Sequence, residues 1–188
     1  MKGCGHMSVA FKIEKATTED YYALPEGTRA ELIHGIIYDM SPAPMTVHQE
    51  LSGSLFFVLR SFINSRNGKC KIYTAPFDVK LSEDTVVQPD ISVICDRSKI
   101  TERGCDGAPD LVIEIVSNNA AHDYIRKLNI YHEYGVREYW IVDPERETVR
   151  VYHLGEDFEE SQYAFSDSVP VGIYDGELTI KVSELLEQ

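Results

Sequence analysis

Leu51, Leu55, Val58, Leu59 and Phe62 recur at helical spacing through an otherwise polar stretch, and this rhythm predicts the longest helix of the chain. Thr46-Val47-His48-Gln49 ahead of them fits a capping box, with Gln49 three residues after the cap, and Asn67-Gly68 supplies the stop. Further upstream, Thr17-Thr18-Glu19-Asp20 offers a cap to a short helix through Tyr21-Tyr22-Ala23-Leu24, which Pro25 ends. Apolar runs at 30–33 and 36–40 flank His34-Gly35, the pattern of a tight hairpin closed by Pro42 and Pro44. Downstream, Phe77, Val79 and Leu81 alternate as a strand. Residues 86–94 and 111–116 read as two more, separated by a polar loop with Gly104 and Gly107. A second helix is predicted over residues 120–134, with Tyr124, Leu128 and Tyr131 on one side and Gly135 as its stop. Residues 138–142 form another strand, and Asp143-Pro144-Glu145-Arg146 turns into a partner at 148–152. Short strands near 161–165 and 178–182 and an amphipathic final turn complete the tail. Helix, hairpin, long helix, strands, helix, strands: that order indicates an α+β domain with a mixed β-sheet flanked by helices, rather than a doubly wound fold.

One residue breaks the pattern. Glu114 sits inside Leu111-Val112-Ile113-Glu114-Ile115-Val116, a branched apolar run of the kind buried on both faces. A lone carboxylate there costs roughly several kcal/mol unless a cation, a metal or hydrogen-bond donors compensate it. Such a group marks either a functional site or a structural ion pair.

Asp90 follows Pro89 and opens Ile91-Ser92-Val93-Ile94, so a period of two puts it on one face with Ser92 and Ile94. Where that strand neighbours the one holding Glu114, two carboxylates converge, and a divalent cation relieves their repulsion. Hard oxygen ligands without His or Cys nearby favour Mg²⁺ or Mn²⁺ over zinc. Read alone, Asp90 is a strand-entry or turn residue. Lys127 on the second helix pairs with Asp123 at i,i+4, or turns its ammonium to the carboxylate pair; the two roles are compatible. Glu31 in the first hairpin is either an outward-facing charge or a third carboxylate near the metal. His48, in the first turn of the long helix, reads as a solvated residue or as a contact to substrate phosphate. Gln88 shares the face of Asp90 and is a candidate for positioning substrate.

Composition narrows the picture. The 188 residues, 43% hydrophobic and 26% charged, suit one soluble domain, expected over residues 17–188 behind a poorly structured extension at 1–16. No apolar run approaches the ~20 residues of a membrane span, and the first residues lack the apolar core of a signal peptide. Cys4, Cys70, Cys95 and Cys105 show no C-x-x-C spacing, so reduced thiols in a cytoplasm are expected. The net charge of −13 cuts against nucleic-acid binding, since a protein that neutralises phosphates normally shows a basic stripe and none is visible. A phosphate substrate must then be reached through bound cations or a patch assembled by folding.

Several segments fall in one order: Glu31-Leu32-Ile33-His34-Gly35, Met40-Ser41-Pro42, His48, Gln88-Pro89-Asp90-Ile91-Ser92 and Ala108-Pro109-Asp110 running into the Glu114 strand and Ser117. Lys127 with Tyr131, and Gly135-Val136-Arg137-Glu138-Tyr139-Trp140-Ile141-Val142-Asp143-Pro144, continue it. Over residues 17–186 the chain resembles the Uma-type putative restriction endonuclease family of the PD-(D/E)xK nuclease-like superfamily. The resemblance implies a restriction-endonuclease-like fold that hydrolyses DNA phosphodiester bonds with Mg²⁺ or Mn²⁺. It places metal-binding carboxylates at Asp90 and Glu114 and a helper acid at Glu31; His48, Gln88 and Asp123 stand beside them as substrate-contacting or supporting residues from their own positions. The superfamily's E-x-K lysine position holds Val116 here, and the resemblance assigns that task to Lys127. His34 replaces an acidic residue usual in the family's hairpin. A homodimer is suggested by family habit and by Tyr134, Tyr139, Trp140 and Tyr152, aromatic residues that suit an interface and a core equally; the alternative function is a non-catalytic dimer retaining the fold.

Overall fold

The chain changes sheets at Gln88-Pro89-Asp90, and the architecture is easiest to follow from that crossing. The structure, a computed structural model, describes residues 15–40, 45–117 and 121–186. Before the crossing come α1 (Thr18–Tyr22), the hairpin β1 (Ala30–Ile33) and β2 (Ile36–Asp39), α2 (Thr46–Ser65), β3 (Lys71–Thr74), β4 (Asp78–Ser82) and β5 (Thr85–Val87). After it come β6 (Ile91–Ile94), β7 (Gly104–Asp106), β8 (Leu111–Ile115), α3 (Ala121–Glu133), β9 (Glu138–Asp143), β10 (Thr148–His153) and β11 (Glu159–Ala164). A tail of β12 (Val169–Pro170), β13 (Thr179–Ile180) and α4 (Ser183–Leu186) follows. A five-stranded sheet has the order β2-β1-β5-β4-β7, and a six-stranded sheet the order β11-β10-β9-β8-β6-β3. Both are mixed, since β4–β7 and β8–β9 are parallel and the other pairs antiparallel. The α+β class expected from element order is the class observed.

Residues 86–94 are therefore not one strand. Pro89 has no N–H to give a ladder, so the extended run breaks there and its halves join different sheets. Alternation then divides the core. Ile91, Val93, Leu111, Ile113 and Ile115 face a layer with Leu51, Leu55 and Leu59 of α2. Ile94 and Val112 face Ile130 and Tyr131 of α3, which also meet Ile33, Val79 and Val87 of the smaller sheet. Thus α2 covers one face of the large sheet, while α3 and the small sheet share the other.

Local signals mostly hold. His34 and Gly35 take φ of 49° and 81°, the backbone a two-residue hairpin turn requires. Thr17 caps α1 in a full capping box with Asp20. At α2 the expected box does not form: the N-cap is Met45, Thr46 is already helical, and no side chain caps it. The helix stops at Asn67-Gly68 as expected: it ends at Ser65, and Asn67 adopts the left-handed conformation (φ 50°). Pro42 and Pro44 lie outside the described residues, as does most of the expected 1–16 extension.

One expectation, that of reduced cysteines, is corrected. Cys70 and Cys95 form a disulfide, because β3 and β6 pair with Lys71 opposite Ile94 and so bring the flanking cysteines face to face. Their 25-residue separation in sequence gave no hint of this, and the pairing removes the thiol-based ground for a reducing compartment. Among the described cysteines only Cys105 is free, and it is buried. Of the two roles open to the aromatic residues, Tyr139, Trp140 and Tyr152 take the core one. Buried Glu138 accepts from Trp140 Nε1 (2.7 Å) and from the N–H groups of Gly172 (3.0 Å) and Ile173 (2.7 Å), which pins the tail to the large sheet.

Candidate active site

Strands β6 and β8 pair antiparallel with Ile91 opposite Ile113 and Ser92 opposite Val112. One step further along this register puts Asp90 opposite Glu114. The Asp90 carboxylate reaches across, its Oδ2 accepting from the Ile115 N–H at 2.8 Å, while its carbonyl accepts from the Ala75 N–H at 3.0 Å. His48, from the first turn of α2, sits 3.0 Å from the same Oδ2 through Nε2. The solvated position, one of the two expected for His48, is thus replaced by a buried one, and its Nδ1 has no hydrogen-bond partner among the described residues.

Glu114 is 5% exposed and points to the α3 side of the sheet. Its Oε1 accepts from Lys127 Nζ at 2.9 Å and from the Tyr131 hydroxyl at 2.8 Å. Lys127 and Tyr131 are one helical turn apart on α3, and the same ammonium lies 3.1 Å from Glu31 Oε1. Glu31 also accepts from the Gln88 N–H at 2.9 Å, so the crossing residue ties the small sheet to the site. The outward-facing alternative for Glu31 is therefore replaced: it is buried and ion-paired. The Gln88 amide donates to Asp78 Oδ1 (2.8 Å) and lies 3.1 Å from the Tyr21 hydroxyl, a network that fixes the segment entering Asp90. Asp123, the expected partner of Lys127, lies outside the residues whose side chains are described.

The electrostatics follow from burial. Desolvation pushes the Glu114 carboxyl up to about 7; the Lys127 ammonium opposes this, and the charges of Asp90 and Glu31 reinforce it. For His48, burial favours the neutral ring, but the hydrogen bond and charge of Asp90, with Glu114 behind, outweigh it and raise the pKa. Among the described residues three carboxylates, Asp90, Glu114 and Glu31, lie with one lysine and one histidine, a balance that favours added positive charge. The contacts above use Oδ2 of Asp90 and Oε1 of Glu114, and the second oxygen of each carboxylate takes no part in them. Among the described residues no three His, Cys, Asp or Glu side chains form a ready-made cage. Two carboxylates with water and substrate oxygens are nevertheless the usual surroundings of Mg²⁺, and the donor set fits that ion.

Sequence reasoning named the acids and the lysine but gave Tyr131 no role at the site. Its only signal was position, four residues after Lys127 and so on the same helix face. It also missed a cleft of about 610 Å³ alongside Asp90 and His48, lined in part by Arg29, Gly53, Phe56 and Pro76. With Asp90 and His48, those residues come from four separate segments, and no local pattern joins them. No helix among the described residues is long and apolar enough to cross a membrane.

No curated protein matches this chain. A solved structure does: a crystal structure described as a putative nuclease belonging to DUF820 from Anabaena variabilis, at 25% identity and a TM-score of 0.76, covering 91% of this chain and 97% of that one. The likeness extends to the nuclease-like fold. The profile of the Uma2 family, "Putative restriction endonuclease", matches residues 18–183, nearly the whole chain, so the protein belongs to that family.

Proposed function

We propose that this chain hydrolyses DNA phosphodiester bonds with Mg²⁺ or Mn²⁺ held by Asp90 and Glu114. The observation that carries this reading is the β6–β8 register, which continued by one step sets Asp90 opposite Glu114, with Lys127 and Glu31 gathered at Glu114. A bound cation would supply Lewis acidity at the phosphoryl oxygen and lower the pKa of a water nucleophile. The chain's own residues do the rest. Lys127 brings a fixed positive charge to the carboxylate pair from α3, which supports its standing in for the lysine absent at Val116. Glu31 holds that ammonium in place, and Tyr131 fixes the rotamer of Glu114. His48 holds the Asp90 carboxylate against the β8 backbone and is the titratable side chain in contact with it.

The test uses Asp90→Asn and Glu114→Gln. Millimolar Mg²⁺ or Mn²⁺ is expected to raise the melting temperature of the parent and not of either variant. Both variants should lose DNA cleavage by about a thousandfold or more while keeping the parent's circular dichroism, since the cation's share amounts to several kcal/mol. Cleavage by both variants at the parent's rate, with no thermal response to metal, would sink the reading.

A non-catalytic homodimer is the second reading. It is favoured by the −13 charge and by Lys127 lying between Glu31 and Glu114, an ion-pair group that is satisfied without substrate. Sedimentation equilibrium showing a dimer, together with no cleavage under any divalent cation, would select it.

A further inference from the structure

We infer that the cleft beside Asp90 is a subsite for an unpaired nucleotide, so that the DNA acted on is single-stranded or tailed near the scissile bond rather than continuous duplex. The inference rests on the proposed nuclease reading and narrows its substrate. Asp90 and His48 form one wall of the cleft, which puts the candidate metal carboxylate at its edge. Its volume, about 610 Å³, lies in the range of pockets that enclose a small organic group. Bases within a duplex are stacked inward and cannot enter such a space without being extruded.

The lining suits a base and its phosphate. On α2 the wall runs from His48 past Gly53, and a Cβ built on Gly53 meets nothing within 4 Å. The helix therefore keeps one flank open there rather than packed. Phe56 follows three residues later and Pro76 also lines the space, giving flat apolar surface for stacking. Arg29 is the one lysine or arginine among the lining residues, and it offers charge for a single phosphate. A duplex footprint needs many such cations, and a chain of net charge −13 with dispersed basic residues is poorly supplied for it. One stacked base with one phosphate asks for no more than the cleft provides.

The experiment compares one oligonucleotide sequence in three forms, single-stranded, blunt duplex and duplex with an unpaired tail, in the full chain with Mn²⁺. The single-stranded and tailed forms should show kcat/KM at least about tenfold above the blunt duplex. Gly53→Phe fills the cleft from an open position, and Phe56→Ala removes the stacking face. Each should raise KM for the unpaired forms about tenfold with kcat kept. Phe57→Ala, at the next helix position, 70% exposed and not lining the cleft, should leave both constants unchanged. Fluorescence anisotropy in Ca²⁺ reads the same preference without cleavage. If no DNA form is cut but single strands still bind more tightly than duplex, and Gly53→Phe abolishes the difference, the nuclease reading falls and the subsite stands. Equal kcat/KM and equal binding for duplex and single strand would overturn the inference. So would Phe56→Ala or a folded Gly53→Phe with unchanged KM on the unpaired forms.

Discussion

Lys127 is the residue on which the buried polar cluster turns. Its ammonium lies within 3.1 Å of Glu31 and 2.9 Å of Glu114, and all three side chains are about 5% exposed. Removing it strands two carboxylates in a low-dielectric interior, which costs far more than the pair itself contributes. Lys127→Met is therefore expected to lose about 3–5 kcal/mol in urea unfolding without metal. Tyr131→Phe removes one hydrogen bond to a buried carboxylate and should cost about 1.5–3 kcal/mol in the same measurement. A Tyr131→Phe variant as stable as the parent would mean that Glu114 finds another donor. The charge of Glu114 was legible in sequence because a carboxylate among branched residues has no local explanation. Of its two donors Lys127 was legible as one of two readings, whereas Tyr131, which reaches it from the same helix, was not.

Two glycines make opposite predictions at the level of elements. Gly53 lies in the interior of α2, where glycine costs about 0.8–1.0 kcal/mol relative to alanine and where a Cβ has open space. Gly53→Ala should stabilise the protein by about that amount in chemical denaturation. At Gly104, the first residue of β7, φ is 153° and a Cβ would stand 2.1 Å from the Asp78 carbonyl oxygen on β4. Gly104→Ala should break the parallel β4–β7 pairing and lose about 2 kcal/mol or more, visible as a lower urea midpoint. The helical period of α2 and the His34-Gly35 turn were readable because each is a local property of the backbone. The boundary at Pro89 was readable only in part. The residue announces a break, but nothing nearby says that its two flanks enter different sheets.

For the whole molecule, net charge sets the terms of any encounter with DNA. A chain at −13 whose cleft offers one arginine has few phosphate contacts to make. KM for DNA should then depend weakly on salt, with a log–log slope no steeper than about 2–3 between 50 and 200 mM KCl. A slope near that of a broad-footprint binder would reveal a basic face assembled by a second copy of the chain or by residues outside those described.

Sequence alone determined what depends on near neighbours: helix α2 and its apolar stripe, the first hairpin, the glycine stop before β9, and the anomaly of an acid at 114. It also carried the family, because the order of short segments survives without coordinates. Tertiary structure decided everything that depends on register and on the crossing between sheets. It set Asp90 opposite Glu114, brought Lys127 to Glu31 across elements 96 positions apart in numbering (127 against 31), joined Cys70 to Cys95, and opened the cleft beside His48. The physical reason is common to all four. A side chain's local conformation is set within a few residues of it, whereas its partner is set by strand pairing and layer packing, which local periodicity does not encode.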